Sequence, residues 1–298
     1  MNTKKILFFT VCLCISMLAQ AQIKLSFNPT EGKTYLYSFN SEQSIKQTVM
    51  GQEMPLNTAM EMLIEMSVKE KSKDEIRLNF LYKGIIVEFS HPMMNIRYDS
   101  ENPADNSSEP EKLIAQIFSN LVGKPMSVTF RSDGSVKSIS GLDAIWEGMQ
   151  KSMASANPAA QQATSAVLQS FNEESMKQMF EQSFKMYPEN EVKVGNSWYT
   201  DMSFNIASMI NNTRNTYTLK SVENNIALLD MVSVSNMKLS MGMEGEISGK
   251  HQGEVSLDIK TGMLINSAME GSAKGGFDMQ GMEISMDITS KVKMSLQQ

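Results

Sequence analysis

The chain has 298 residues and carries 33 acidic against 27 basic side chains, which gives a formal net charge of −6. This acidic balance argues against a binding surface for nucleic acid or for anionic membranes. Beyond the N-terminal segment no apolar run reaches the roughly 18 residues typical of a transmembrane helix, so we predict no transmembrane span.

The N-terminal segment has the layout of a secretory signal peptide. Lys4 and Lys5 precede an almost unbroken apolar run over 6–18, and Ala19-Gln20-Ala21 matches the small-residue pattern of a cleavage site. The alternative is an uncleaved anchor, but the run is shorter than the about 20 residues that span a bilayer. We predict a signal peptide over 1–21, a mature N-terminus at Gln22, and a periplasmic, secreted or outer-surface location.

Both cysteines of the chain, Cys12 and Cys14, lie inside this apolar run, where neither is preceded by the small residue that a lipidated cysteine needs. The mature chain is therefore expected to hold no disulfide, so its stability must come from core burial. Methionine is unusually common, with 27 residues. Its flexible, polarizable side chain suits irregular cores and adaptable binding surfaces.

Period-two alternation dominates the chain after this segment and predicts β-strands with one buried face. A polar turn at 71–75 separates two such runs, so they are predicted to form a hairpin. An earlier strand is predicted from Gly32 to Phe39. The first run of the hairpin consists of Leu56, Thr58, Met60, Met62, Ile64, Met66 and Val68, and the second of Ile76, Leu78, Phe80 and Tyr82.

A segment with helical spacing of its apolar residues follows the acidic, proline-containing loop over 99–111. The tetrapeptide 108–111 resembles a capping box with a proline in the first turn, and Gly123 marks a stop. Between them the apolar residues recur at helical spacing: Leu113, Ile114, Ile117, Phe118 and Leu121. We predict a helix over about 110–122.

Two short alternating runs between 126 and 139 flank Asp133-Gly134, a good hairpin signal. Helical spacing returns afterwards, with one helix expected to open at Asn157-Pro158 and another to be capped by Asn172. Buried positions expected in the last of these helices are Met176, Met179, Phe180 and Phe184. We predict a helical segment over about 142–187.

From Val192 onward strands resume. Asn224-Asn225 and Thr261-Gly262 are predicted turns, and Gly275-Gly276 and Gly281 are predicted to separate the last runs. The final strand alternates strictly through Met282, Ile284, Met286 and Ile288, and after an interruption that predicts a β-bulge it continues through Val292, Met294 and Leu296.

These elements predict a mainly β (α+β) fold. We expect one large curved antiparallel sheet or half-barrel, with the helices at about 110–122 and 142–187 covering one side. Residues 22–298 are predicted to form a single β-rich domain with this helical insert.

Two related β halves, 22–140 and 190–298, are a variant of this organisation. Its basis is the pattern shared by Gly32-Lys-Thr-Tyr35 and Gly195-Asn-Ser-Trp198, namely a glycine, any residue, a hydroxyl residue and an aromatic residue. Chance similarity between amphipathic strands explains these four positions about as well.

The sequence contains no recognisable catalytic motif. The chain has no Gly-x-Ser-x-Gly elbow, no Walker loop and no dinucleotide fingerprint, and its two histidines, His91 and His251, lie in no recognisable site motif. We therefore predict no catalytic residue and no cofactor. A hydrolase with paired carboxylates stays open, because such a site is set by separation in space.

Two groups of residues offer ligands of the kinds that bind metal ions. His91 with Met93 and Met94 offers soft ligands for Cu(I), and the acidic loop over 99–111 offers carboxylates for Ca²⁺. Core packing explains the methionines better than a copper site does, and the loop lacks the spacing and the glycine of a calcium loop. We predict no metal site.

The methionine-rich strand face carries the main functional hypothesis. If the sheet curls, this face lines its concave side and forms an apolar, deformable surface suited to an acyl chain. A fully packed core without a cavity is the alternative. The predicted ligand-binding residues are Met60, Met62, Ile64, Met66, Ile284 and Met286.

Several strand starts and turns resemble those of an uncharacterised family of secreted proteins from Bacteroides-like Gram-negative bacteria, classed only as a domain of unknown function. They are Gly32 to Phe39, Gly51 to Met54, the strand over 58–66, Val194 to Trp198 and Asp258 to Gly262. The resemblance implies an exported β protein and assigns no functional residue. The long strands with a helical insert also loosely resemble periplasmic lipoprotein carriers of the half-barrel type, an analogy of fold that does not fix function.

We therefore predict an exported non-enzymatic protein that binds an apolar ligand, such as a lipid, in a methionine-rich concave sheet face. A structural or protein-interaction module of the cell envelope, acting through an exposed sheet edge, is one alternative, and a hydrolase with an unrecognised carboxylate site is another. The expected partners are an apolar small molecule or lipid, or an envelope protein, and no nucleic acid.

Overall fold

One antiparallel sheet of twelve strands organises the protein. The structure is a computed structural model that describes residues 22–102, 108–132, 134–154, 173–206, 209–239, 243–279 and 281–297. The predicted signal peptide over 1–21 and the helix expected to open at Asn157 lie outside the described residues. Within them, no helix is both long and apolar enough to cross a membrane.

Six strands and one helix come before the central helical region, and six strands follow it. The first strands are β1 (Thr34–Val49), β2 (Gln52–Lys71), β3 (Glu75–His91), β4 (Met94–Asp99), β5 (Met126–Arg131) and β6 (Val136–Ser140). The later strands are β7 (Ser197–Ile206), β8 (Met209–Glu223), β9 (Ile226–Leu239), β10 (Met243–Asp258), β11 (Leu264–Met279) and β12 (Met282–Gln297). The helices are α1 (Glu109–Phe118), α2 (Leu142–Ala154) and α3 (Glu173–Phe184).

The strand order is β6-β5-β3-β2-β1-β12-β11-β10-β9-β8-β7, with β4 pairing beside β3. Strands β1–β6 and β7–β12 thus fill separate, contiguous parts of the sheet, which join where β1 pairs with β12 over fourteen residue pairs. This arrangement confirms the predicted mainly β class and the large antiparallel sheet. That the two parts are related halves of one domain stays a prediction.

The predicted turns explain where the strands reverse. Asn224 and Asn225 both have a positive φ, 51° and 64°, as the tight turn between β8 and β9 requires. Gly262, with φ 67°, occupies the β10–β11 turn. One turn prediction and the bulge prediction were wrong: Gly275 and Gly276 lie inside β11, and β12 pairs with both of its neighbours without a bulge. The interruption in β12 is Ser290, a polar residue on the same face as its apolar neighbours.

The helical predictions are confirmed in part. Ser108 and Glu111 form the expected capping box, in which each side chain accepts a hydrogen bond from the backbone N–H of the other, but α1 ends at Phe118, earlier than expected. Met176 and Phe180 of α3 are buried, whereas Met179 is exposed, contrary to prediction. α2 confirms the start of the helical segment predicted over 142–187, and residues 155–172 of that segment lie outside the part of the chain that the structure describes.

The sheet curves so that both of its ends meet α3. The backbone N–H of Val136, at the start of β6, donates to Glu181 Oε1 of α3 over 2.8 Å. At the other end of the strand order β7 also contacts α3, and Trp198 Nε1 donates to the carbonyl of Met186 over 2.9 Å. Since β6 and β7 terminate the sheet, one helix bridges the gap between its edges, which fits the predicted half-barrel with a helical cover.

The core fills one end of this curved sheet. The N-terminal segment crosses it, pairing Ile23 with Val192 and donating from the N–H of Asn28 to the carbonyl of Thr261 over 2.8 Å. Against this segment and α3 pack the buried residues Tyr37, Val68, Leu78, Val128, Phe130, Leu219, Leu229 and Leu257. We call the sheet face that carries them the interior face, and this end of it the core end.

Glycines bring β10 and β11 unusually close on the interior face. His251 lies opposite Gly271, and Ile247 lies opposite Gly275. A Cβ on Gly271 would collide with the carbonyl oxygen of Lys250, and one on Gly275 with that of Glu246. Each large side chain therefore lies across a glycine, a pattern typical of a sharp bend in a sheet.

We expect Gly271→Ala to lower the free energy of unfolding by about 1–3 kcal/mol, because the added methyl group forces β10 and β11 apart. Urea unfolding followed by tryptophan fluorescence measures the loss. The control is Gly84→Ala in β3, where the nearest atom to an added Cβ is Glu101 Oε1 at 3.7 Å, so no loss is expected there. Equal unfolding midpoints for the two variants would contradict the close approach.

Candidate functional site

Continuous antiparallel pairing aligns the interior-face residues of neighbouring strands into rows that cross the sheet. One row near the core end runs through Met62, Phe39, Met294, Ser267, Val255, Leu229 and Leu219. The next row outward runs through Met60, Ser41, Val292, Met269, Gly253, Met231, Tyr217 and Trp198. Both rows are largely apolar, as a core face should be.

The following row breaks this apolar pattern across eight strands. It consists of Thr58, Gln43, Ser290, Gly271, His251, Ser233, Asn215 and Thr200, and we call it the polar row. None of its members carries a formal charge unless His251 is protonated. On β8 and β9 the polar character extends outward through Thr213, Ser235 and Asn211. The residues Asn211, Thr213, Asn215, Ser233 and Ser235 together form what we call the polar corner.

His251 occupies the centre of the polar row. Its Nε2 lies 2.7 Å from Ser290 Oγ, a hydrogen bond in which either atom can donate, and Ser290 is itself buried. Burial lowers the pKa of His251 from its ordinary value of 6.5. The imidazole is therefore neutral at neutral pH, so the whole row is uncharged there.

Asn215 is the most buried member of the polar corner, with 5% of its surface exposed. Its Nδ2 lies 3.8 Å from Met202 Sδ, a weak contact, and its Oδ1 has no hydrogen-bond partner among the described residues. The Oδ1 of Asn211 is likewise buried and without a partner there. Burial raises the pKa of Tyr217, and hydrogen bonds with the side chains of Thr200 and Asn215 offset part of that rise. The polar corner thus presents two buried acceptor oxygens.

Beyond the polar row the interior face becomes apolar again, most of all on β1, β2 and β12. We call this region the far half. Its apolar side chains are Ile45, Val49, Met54, Leu56, Met209, Met237, Leu239, Ile247, Phe277, Ile284, Met286 and Ile288. None of them belongs to the three core clusters found among the described residues. Most are half-buried, while Ile247 and Ile284 are buried.

The structure places all six predicted ligand-binding residues on the interior face, but at three different distances from the core end. Met66 is buried in the main core beside the half-buried Ile64. Met60 and Met62 pack against a cluster of Ile85, Val87 and Tyr98 that α1 residues also contact. Ile284 and Met286 lie in the far half.

The first four of these residues are therefore far from the last two. Met60 and Val292 lie in the same cross-strand row, because both pair with Ser41 of β1. Val292 is eight residues from Ile284 along β12. At a rise of about 3.3 Å per residue, that separation is roughly 26 Å. Only Ile284 and Met286 lie on the interior surface that the core clusters leave free.

The polar row was not predicted from the sequence. Its signal was the break in alternation at Ser290, together with Gln43 and Asn215 at interior parity in otherwise ordinary strands. A polar residue in a strand is normally assigned to the solvent face. Only the register shows that polar residues from seven strands are aligned, with Gly271 on the eighth.

The opposite face of the sheet is charged. It carries an open groove of about 760 Å³ whose lining includes Glu42, Glu88, Glu270, Lys250 and Lys291. Elsewhere on this face Lys220 pairs with both Asp230 and Glu254, at 3.2 Å and 2.7 Å. Mixed, exposed charges of this kind are typical of a solvated strand face.

The candidate soft ligands His91, Met93 and Met94 lie at the β3–β4 turn, and residues 103–107 of the acidic loop lie outside the described residues. His91 ends β3, where its Nδ1 accepts a hydrogen bond from the N–H of Met93 over 3.2 Å, and the Met93 side chain is 88% exposed. Among the residues that the structure describes, no group of three or more His, Cys, Asp and Glu side chains is placed to hold a metal ion.

Residues 73–264 match a family described as a family of unknown function, DUF6263. The chain belongs to this family. The match confirms the resemblance to a domain of unknown function and includes Val194 to Trp198 and Asp258 to Gly262. The earlier motifs, from Gly32 to residue 66, precede the matched stretch. Comparison with curated proteins gives no match.

Solved structures give only distant similarities. A lipovitellin chain, from a study titled "Lipid-protein interactions in lipovitellin", is 12% identical with a TM-score of 0.46, and the alignment covers 90% of this chain but 25% of lipovitellin. An outer membrane channel from Pseudomonas putida F1 is 6% identical with a TM-score of 0.25, covering 91% of this chain and 98% of the channel. At these scores the likeness supports no functional statement about this chain.

We expect acid to destabilise the protein through His251. Because its folded pKa lies below 6.5, the unfolded state binds more protons as the pH falls past that value, and stability declines. His251→Gln should therefore lose less thermal stability than the wild type between about pH 7.5 and about pH 5.5. The control is His91→Gln, which keeps His251 and should therefore still lose thermal stability as the pH falls. Identical pH profiles for His251→Gln and the wild type would refute the assignment.

We expect the two ends of the interior face to differ in what a methionine contributes. Met66→Ala should lower the free energy of unfolding by about 2–5 kcal/mol, since its side chain is 4% exposed within the core. Met286→Ala, in the half-buried far half, should cost less than about 1 kcal/mol. Denaturant unfolding of both variants provides the measurement. Equal losses would mean that the far half is packed as tightly as the core.

Proposed function

We propose that the chain is an exported, non-enzymatic protein that binds an apolar ligand, such as a lipid, on the far half of its interior face. The observation that carries this proposal is the group of twelve apolar side chains beyond the polar row that belong to no core cluster of the described residues. An apolar surface of this kind is unfavourable in water, and covering it releases free energy.

The shape and composition of the far half suit a flexible chain. Met54, Met237 and Met286 can adapt their rotamers to an irregular ligand. Gly249 and Gly275 on β10 and β11 have no side chain to occupy the interior side. The composition of the far half therefore favours a flexible apolar occupant.

Export is supported by the N-terminal segment. The residues 1–21 have the charge, the apolar run and the small-residue motif of a signal peptide. An exported binder of apolar molecules would meet its ligand in the cell envelope or outside the cell. The excess of acidic over basic side chains keeps the protein from being drawn to anionic surfaces non-specifically.

The first test is native mass spectrometry of the protein isolated gently from the envelope of its own host, followed by organic extraction. The expected result is a co-purifying apolar molecule at near one-to-one stoichiometry. An apo mass, with no uptake of the uncharged lipophilic dye Nile red, would contradict the proposal.

A matched pair of variants locates the site. Met286→Glu places a charge on the far half and should reduce Nile red affinity about tenfold or more, because a carboxylate facing an apolar ligand must be desolvated without a partner. Ser285→Glu puts the same charge one residue away, on the exposed opposite face, and should leave the affinity within about twofold. Equal losses in the two variants would place the dye elsewhere.

A further inference from the structure

The polar row and the polar corner separate the core from the far half. Their polar side chains do not contribute apolar packing to the core. A polar side chain buried without a hydrogen-bond partner destabilises the fold. Asn215 Oδ1 and Asn211 Oδ1 are two such atoms on one strand, both at interior positions of β8. Groups that reduce stability without serving the core are the expected signature of a binding site.

The chemistry of these atoms restricts what can satisfy them. Both are amide oxygens, so they accept hydrogen bonds and need a donor such as a hydroxyl or an N–H group. Around them Thr213, Ser233 and Ser235 add hydroxyls that both donate and accept. The polar corner thus suits a headgroup with more than one hydroxyl.

The charge distribution excludes an ionised headgroup. The polar row has no lysine, arginine or carboxylate, and His251 at its centre is neutral at neutral pH. The charged neighbours Glu42, Lys250 and Arg214 are each adjacent in sequence to a row member and therefore lie on the opposite face. A carboxylate or phosphate on the interior face would be desolvated without a counter-charge.

We propose that the polar corner binds the uncharged, hydroxyl-bearing headgroup of an amphipathic lipid, whose chain lies on the far half. The inference rests on the proposed function, since it specifies the ligand class of the same surface. A monoacylglycerol has the required chemistry: a glycerol hydroxyl donates to Asn215 Oδ1 once the side chains that cover this oxygen turn aside, and the acyl chain crosses the far half from Met237 and Ile247 toward Met286.

The test compares three probes that share a C18 chain and differ in the headgroup. The full-length chain, expressed from its complete coding sequence, is titrated with 1-monooleoylglycerol, with oleate and with octadecene at neutral pH, each displacing Nile red. Monooleoylglycerol should bind at least about tenfold more tightly than either of the others, the factor expected for one well-formed hydrogen bond in a dry site.

The decisive variant is Asn215→Leu. It should weaken monooleoylglycerol binding about tenfold and leave octadecene binding unchanged, because only the hydroxyl loses its acceptor. Its Tm without ligand should stay close to that of the wild type, since removal of the unpartnered buried Oδ1 offsets the loss of the side-chain contacts with Met202 and Tyr217. A structural asparagine would instead give a lower Tm. Asn212→Leu, on the same strand but exposed on the opposite face, is the control and should change neither affinity.

The outcomes separate this inference from the proposal beneath it. Binding of octadecene with no preference for monooleoylglycerol, or equal loss of all probes in Asn215→Leu, would overturn the headgroup assignment alone. Tighter binding of oleate would do the same, because it would require a charge partner. The absence of binding by every probe would overturn both proposals. Ser233→Ala, opposite Asn215 on β9, should repeat the selective loss of monooleoylglycerol and guards against a folding defect in Asn215→Leu.

Discussion

The antiparallel pairing of β1 with β12 is the interaction on which the rest of the structure depends. It joins strands that are far apart in sequence over fourteen residue pairs and so merges two meanders into one sheet. Without it each meander would present a long unpaired edge, which soluble proteins avoid. Because the pairing continues without a bulge, the interior-face parity of one meander passes unchanged to the other. The rows that cross the sheet, including the polar row, exist only because of this continuity.

The strands are longer than the core needs. Strands of 14 to 20 residues run through most of the sheet, yet the core clusters of the described residues fill mainly one end of it. At that end α3 and the N-terminal segment close the gap between the sheet edges. The far half extends the same hydrogen-bonded framework without an equivalent filling. The rigid core end thus holds in place an interior surface whose side chains are left for another role.

The composition of the interior face shows a conflict between stability and specificity. Filling the polar corner with apolar residues would improve packing, since Asn211 and Asn215 bury amide oxygens without partners among the described residues. Glycines on β10 and β11 also weaken the strands that contain them, but they permit the close approach of the two strands there. Both features are understandable if the surface has to accept a ligand. Neither is explained by the needs of a packed sheet alone.

The sequence by itself determined the local structure. Alternation from Leu56 to Val68 indicated a long strand, Asn224-Asn225 indicated a tight turn, and the residues from Ser108 to Glu111 indicated the start of a helix, because each depends on neighbours within a few residues. It also indicated that Met60 and Met286 each lie on the apolar face of their own strand, since parity within a strand is local. Tertiary structure alone decided that these two methionines lie far apart, that Gly275-Gly276 continues a strand, and that Ser290, His251 and Asn215 are aligned. Those facts depend on which strands pair and in which register, and pairing is set by contacts between residues distant in sequence, which no local pattern encodes.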